Sequence, residues 1–252
     1  MLRPHEPPVY ELLREAGSSP CLLTCDHAGR RIPQALGDLG VPKAEMDRHI
    51  AWDIGIAEVT RHVSAALDAT AILQTYSRLV IDCNRDPNVP SAFPKISEAT
   101  PIPGNQNLSA ADKLARQQAI FDPYHQEIIR LIKTRPRTVY VAMHSFTPVY
   151  LGQTRPMQVA MLYNRNPRLS KALVALLRAE PGLVVAENDP YSVADSTDYG
   201  VPVHAERGGL DYLEVEIRQD LIADEAGQQE WAARLAKLLP KALSQLQTAT
   251  VP

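Results

Sequence analysis

The sequence is poor in the features that announce specialised classes of protein. It has three cysteines in 252 residues, Cys21, Cys25 and Cys83. An odd count argues against a disulfide framework. With Cys21 to Cys25 read as a strand, their Cα atoms lie about 13 Å apart. That is too far for a bridge, and it makes a shared zinc ion a poor reading as well. Small buried hydrophobes in a reducing cytoplasm are the better reading of all three. No apolar run is long enough to span a bilayer. The first residues, MLRPHEPPVYELLREAG, hold no apolar segment of the kind a secretory signal needs. A cytoplasmic location without a membrane partner is therefore expected. No Lys/Arg run stands out at a formal net charge of -3, so nucleic acid is a poor partner. A GxSxG elbow, a Walker or GxGxxG loop, HExxH and CxxC are all missing. The usual signatures of serine hydrolases, nucleotide binders and zincins are thus absent.

What is present is ordinary globular composition, 45% hydrophobic and 22% charged, with no internal repeat. A chain of this length buries roughly 70–75% of its unfolded surface, and one domain over residues 1–252 is expected. Strand-like and helix-like segments alternate. CLLTC (21–25), TAILQ (70–74), RLVID (78–82), TVYVAM (138–143), MQVAML (157–162), LVVA (183–186) and YLEVEI (212–217) read as strands. Pro42 opens a helical pattern that runs to about Leu67. Ser109 with Asp112 resembles a capping box for a helix that stops near Phe121. Asp122 then caps another, with Pro123 at its first position. Arg168 to Arg178 and Gln228 to Leu246 are further helices. The alternation predicts an α/β fold with a mostly parallel sheet covered on both faces. In such sheets ligands bind beyond the carboxyl ends of the strands. The stretch 86–107 carries Pro87, Pro90, Pro94, Pro101 and Pro103. It can hold neither a helix nor a central strand. It is expected as a wall or lid over the site, with a solvated excursion equally open.

Several polar residues fall where that rule puts chemistry. His27 follows the first strand in TCDHAGRR, with Gly29 allowing a sharp turn, and His144 follows TVYVAM. Two histidines at two strand ends suit a metal site, although either alone is more often a hydrogen-bonding turn residue. On a helical wheel through Met46, Ile50 and Ala57, Asp53 falls inside the apolar stripe. A buried carboxylate needs a partner. A metal, an arginine or His49 could supply it, the salt bridge being favoured by roughly two to one. Glu214 and Glu216 lie two apart on one strand and share a face. Glu216 is nearer the carboxyl end and could act as a general base, whereas pairing with Arg218 is the structural alternative. Arg78 precedes a strand-like run and Asn84-Arg85 follows it. Arginine offers a fork for carboxylates and oxyanions, although a single arginine is usually just solvated. Cys25 near His27 could suggest a thiol nucleophile, but Cys25 should lie inside the sheet. For His49, His125, Arg155 and His204, ordinary hydrogen-bonded or solvated roles are the commoner outcome. Asp26 either orients His27 or faces solvent.

CDHAGRRIP, HIAWDIG, SRLVIDCNRDP, DPYHQ, MHSFTP, NDPYS and LEVEIRQDL stand in a recognisable order. In that order and approximate spacing the chain resembles the N-formylglutamate amidohydrolase family, from about residue 20 to 246. That family is similar in fold to the zinc carboxypeptidases, the aspartoacylases and the zinc-dependent cell-wall amidases. The resemblance therefore implies a three-layer α/β/α sandwich with a mostly parallel mixed sheet, phosphorylase/hydrolase-like. It also implies one Zn2+ or other divalent ion on His27, Asp53 and His144. In carboxypeptidases and aspartoacylases the acidic ligand comes three residues after the first histidine, where this chain has Arg30. Asp53 instead fits the cell-wall amidase arrangement. By the same resemblance Glu216 is the catalytic glutamate, Arg78 supports the carbonyl oxygen, and Asn84 with Arg85 holds substrate. The implied reaction is hydrolysis of a small N-acyl amino acid, first N-formyl-L-glutamate, to formate and glutamate. Two alternatives stay open: another N-acyl or peptide amide hydrolase, or a non-catalytic carboxylate-binding protein on the same fold.

Overall fold

The computed structural model describes residues 1–135 and 138–248. Along the chain run β1 (Tyr10–Leu13), β2 (Cys21–Cys25), α1 (Lys43–Met46), α2 (Ile56–Leu67) and β3 (Thr70–Gln74). A hairpin follows, β4 (Ile96–Ser97) with β5 (Thr100–Pro101), then α3 (Ala110–Arg116), α4 (Asp122–Thr134) and β6 (Val139–Phe146). A second hairpin pairs β7 (Val149–Tyr150) with β8 (Gln153–Thr154). The chain continues through β9 (Val159–Leu162), α5 (Arg168–Arg178), β10 (Val185–Glu187), β11 (Tyr212–Arg218) and α6 (Glu225–Thr248).

Seven strands form one sheet in the order β1-β3-β2-β6-β11-β9-β10. Strands β3, β2, β6 and β11 run parallel to one another. The β1–β3 and β9–β11 pairings are antiparallel, and β10 follows β9. The mixed, mostly parallel α/β sheet expected from the alternation is what forms. Strand periodicity divides its side chains between two cores. Val141 and Met143 of β6 and Val215 and Ile217 of β11 pack under α2, α5 and α6. Tyr140 and Ala142 of β6 and Tyr212 of β11 face the other way, with Tyr124, Ile128 and Leu131 of α4.

The departures from the sequence reading have local causes. The helix expected from Pro42 to Leu67 is two helices. Gly55 sits at φ +80°, and Asp53 lies in the irregular link before it. RLVID is no strand: Leu79, Val80 and Ile81 are buried in a turn on the second core. A short apolar run shows burial, not conformation. Ser109 does form the capping box. The helix it starts does not stop near Phe121, because a π-helical turn over Gln117–Phe121 carries it into α4, and Asp122 caps nothing. β1 went unread, and the other ends shift by a few residues, as ends do. The Pro-rich stretch is ordered by buried Arg116, which donates to Val80 O at 2.9 Å and Asn105 Oδ1 at 2.7 Å.

Candidate active site

The carboxyl ends of β2, β6 and β11 converge on one edge of the sheet. In the β6–β11 ladder Glu216 stands opposite His144. Both are on the face that carries Tyr140 and Tyr212, so two polar side chains replace the apolar pattern where the strands end. After β2 the chain turns at His27. Gly29 is required there for space, because a Cβ would lie 2.0 Å from Thr75 O. The link before α2 brings in the third group: Asp53 N donates to His27 O at 2.9 Å.

Asp53 Oδ2 lies 3.0 Å from His144 Nδ1 and 3.5 Å from His27 Nδ1. All three residues are buried, and one donor atom from each falls within 4.8 Å of the others. Behind this triad stands Asp82, which sequence reasoning missed. Its Oδ1 accepts from His27 Nε2 at 2.7 Å, and its Oδ2 accepts from Arg78 Nη2 at 2.8 Å and Nε at 3.1 Å. With Nε2 protonated toward Asp82, His27 Nδ1 carries the lone pair. It is buried and has no hydrogen-bond partner. A carboxylate behind a histidine is the usual outer support of a metal ligand. Asp26 does not orient His27. It accepts from Tyr124 Oη at 2.7 Å and points its other oxygen toward His144 Nε2, 3.9 Å away. The only sequence signal for Asp82 was its place four residues after Arg78.

The electrostatics favour a cation at this point. Burial alone would raise the Asp53 carboxyl, but the His27 and His144 imidazoles hold it well below the usual range. Burial opposes charge on His144 too. The Asp53 hydrogen bond and the charges of Glu214, Asp53 and Glu216 outweigh it and hold His144 up at about 10. Surroundings that stabilise an imidazolium also suit a metal ion. Two imidazole nitrogens and a carboxylate oxygen fit zinc and several other divalent ions. Burial pushes Glu216 well above the ordinary carboxyl value and Glu214 to about 7.

The triad opens into a cavity of 460 Å³ that is also lined by Arg78, Asn84, Arg85, Tyr191, Glu214 and Glu216. The fold thus brings all seven expected site residues to one hollow. Several have duties the sequence did not reveal. Asn84 accepts from Tyr199 N and Gly200 N, each at 3.0 Å, and donates to Asp198 Oδ1 at 3.1 Å. It fixes the 198–200 segment. Arg218, the alternative partner for the glutamates, pairs with Asp220 instead. His49 reaches the cavity from beside Glu98. Through Glu98 the Pro-rich stretch supports the site from behind, whereas the facing wall is Tyr191 to Asp198. His125 and His204 form a buried pair, Nδ1 to Nε2 2.8 Å, under Cys83. Arg155 sits behind Tyr191 and donates to its Oη at 2.9 Å. All three cysteines are free and buried.

Comparison with known proteins finds chains of similar sequence and fold. A family model described as N-formylglutamate amidohydrolase matches residues 19–223. The crystal structure of gene product Atu2144 from Agrobacterium tumefaciens is 38% identical, with a TM-score of 0.94 over 98% of this chain and 99% of that one. An N-formylglutamate amidohydrolase from Ralstonia eutropha JMP134 shares the fold at 20% identity, with a TM-score of 0.68 over 96% of this chain and 99% of that one. No curated protein matches the sequence.

Proposed function

This chain belongs to the N-formylglutamate amidohydrolase family, and on that premise we propose a metal-dependent hydrolase of small N-acyl amino acids. The observation that carries the reading is the buried His27–Asp53–His144 triad beside Glu216 at the sheet edge. N-formyl-L-glutamate is the substrate to try first, and zinc the first metal.

His27, Asp53 and His144 would hold the ion, with Asp82 fixing the ring of His27. A divalent metal held there would supply acidification of a water and polarisation of the scissile carbonyl. Glu216 takes the proton of the attacking water and delivers it to the leaving amine. Its burial, which raises the carboxyl well above its ordinary value, suits a group that must both accept and return a proton. Arg78 spends Nε and Nη2 on Asp82 and keeps only a 3.4 Å contact from Nη1 to Asp53. Nη1 is then the nitrogen to meet the developing oxyanion, where losing one donor costs ~10²–10³ in rate. Arg85 clamps a substrate carboxylate, and Asn84 holds the segment opposite it. The site is a hollow for a small molecule, and no helix among the described residues is long and apolar enough to cross a membrane. The cytoplasm is the proposed location.

Elemental analysis of protein purified without chelators or a histidine tag tests the metal. About one zinc per chain, lost in His27→Ala and His144→Ala, is expected. Turnover of N-acyl amino acids tests the reaction. No metal after zinc is added back and dialysed would overturn the mechanism. Saturable binding without product would favour a non-catalytic binding protein.

A further inference from the structure

One cation beside the cavity has no counter-charge. Arg78 pairs with Asp82 and Asp53, and Arg85 stands 3.8 Å from Asp198. Arg155 is buried, 9% exposed, and among the described residues its guanidinium enters no ion pair. Its side-chain hydrogen bonds all leave from Nη1, to Tyr191 Oη at 2.9 Å and to Thr147 O at 3.4 Å. The guanidinium carbon otherwise meets rings, 4.8 Å from the centre of Tyr150, 4.9 Å from that of Tyr191 and 5.9 Å from that of Phe146. Ring faces soften the cost of burying a cation but do not neutralise it.

This charge bears on the cavity. Phe146, Thr147 and Tyr191, which Arg155 touches, all line it. Thr147 Oγ1 is spent on Val149 O at 2.9 Å, whereas Tyr191 keeps a free donor. Arginine can only donate, so the Tyr191 oxygen accepts from it and the phenolic proton points elsewhere. No other hydrogen bond engages that hydroxyl in the described structure. Burial, with the charge of Glu216, pushes the phenol up, so it stays a neutral O–H donor. A donor in the cavity wall with an uncompensated cation behind it suits an anion. Arg85, beside Asn84 and Asp198, is the other such anchor.

Resting on the proposed hydrolysis, we infer that Tyr191, backed by Arg155, receives the side-chain carboxylate of the substrate while Arg85 holds the α-carboxylate. Tyr191 touches the substrate. Arg155 is a positioning residue that acts through the phenol and supplies the counter-charge. The pair selects N-acyl derivatives of acidic amino acids over the corresponding side-chain amides.

The test compares kcat/KM for N-formyl-L-glutamate and N-formyl-L-glutamine, in the zinc-loaded protein and in its Tyr191→Phe and Arg155→Met variants. The unaltered protein should prefer the glutamate derivative by about 10–100-fold, the worth of a charge-assisted hydrogen bond. Tyr191→Phe removes one oxygen from a residue that is 42% exposed, so folding is spared. The preference should fall about 10-fold or more, through KM rather than kcat. Arg155→Met should lower it in the same direction, and the double variant should fall little further, because the arginine acts through the phenol. A purely structural Arg155, clipping Tyr150 to Phe146, would lower stability and leave the ratio alone, which overturns its part. Calorimetric binding of free L-glutamate and L-glutamine, the product amino acids, runs beside the kinetics. If neither substrate is turned over, the hydrolase reading fails, and the binding ratio in the unaltered protein and in Tyr191→Phe still decides the role of the phenol. Equal use of the two substrates by the unaltered protein overturns the inference. So does a ratio that Tyr191→Phe leaves unchanged.

Discussion

Replacing Asp82 with asparagine separates what the triad needs from what the fold needs. The buried carboxylate accepts four hydrogen bonds: from His27 Nε2 at 2.7 Å, Arg78 Nη2 at 2.8 Å, Asn84 N at 2.9 Å and Arg78 Nε at 3.1 Å. Asparagine keeps the shape but turns half of the acceptor into an NH2, which meets donors. Removing one partner of a buried ion pair costs about 3–5 kcal/mol. The Arg78 side chain is 25% exposed and retains Asp53 at 3.4 Å. The lower end, about 3 kcal/mol, is therefore expected, a fall in Tm of about 6–12 °C for a chain of this size. Independently, His27 loses the acceptor that fixes its ring, at a cost of about 10–100-fold in metal affinity. Urea denaturation reads the first effect. Zinc titration of the folded variant against a chromophoric chelator reads the second. A folded Asp82→Asn protein that binds zinc as tightly as its parent would refute the role assigned to this carboxylate.

Three other perturbations follow from the same structure. Glu216→Gln should lower kcat by ~10²–10⁴ with full metal content. Its stability should change little, since the buried Oε2 that it replaces has no hydrogen bond to lose; retained turnover would remove Glu216 from the mechanism. Gly55→Ala would put a Cβ 2.0 Å from Ile222 O at φ +80°. Strain of about 1–3 kcal/mol is expected at such a φ alone, so its melting temperature should drop, and an unchanged one would mean that the link carrying Asp53 can shift. Acid should destabilise the protein through the buried histidine pair. Burial, with the charge of Arg207, lowers His204 from 6.5 to about 4, and burial with the charge of His204 lowers His125 in the same direction. The unfolded chain therefore binds a proton first. Stability is whole above pH 6.5 and falls as pH drops toward 4, by about 3 kcal/mol for His204. Urea midpoints across that window should flatten in His204→Gln; an identical slope would assign the loss to other groups.

The placement of residues was legible in the sequence where period and edge position agree. Glu216 was legible because a strand alternates and its carboxyl end is where ligands bind. His27 and His144 were legible for the same reason, each ending a run of apolar residues. Asp53 was found buried as expected, although the wheel that pointed to it described a helix that does not exist. Gly55 was the signal that the periodicity breaks there. Asp82 was hidden because RLVID looked like a strand, and the residues weighed there were Arg78 before it and Asn84-Arg85 after it. The partners of a buried carboxylate come from chain segments far apart, here His27 and Arg78, and no local pattern encodes them. Asn84 looked like a substrate ligand, yet its contacts reach Asp198, Tyr199 and Gly200, more than 100 residues away.

The pairing of His144 with Glu216 across β6 and β11 has a consequence for how the protein can fail and how it can change. These strands lie inside the sheet, flanked by β2 on one side and β9 on the other. Their amide protons belong with the slowest to exchange, because parting them requires opening the whole molecule. The facing of His144 and Glu216 is therefore lost only with the fold. The wall from Tyr191 to Asp198 has no such restraint, lying in a connection between β10 and β11. Substitutions there can alter which molecule is admitted while the distance between His144 and Glu216 stays fixed by the ladder beneath.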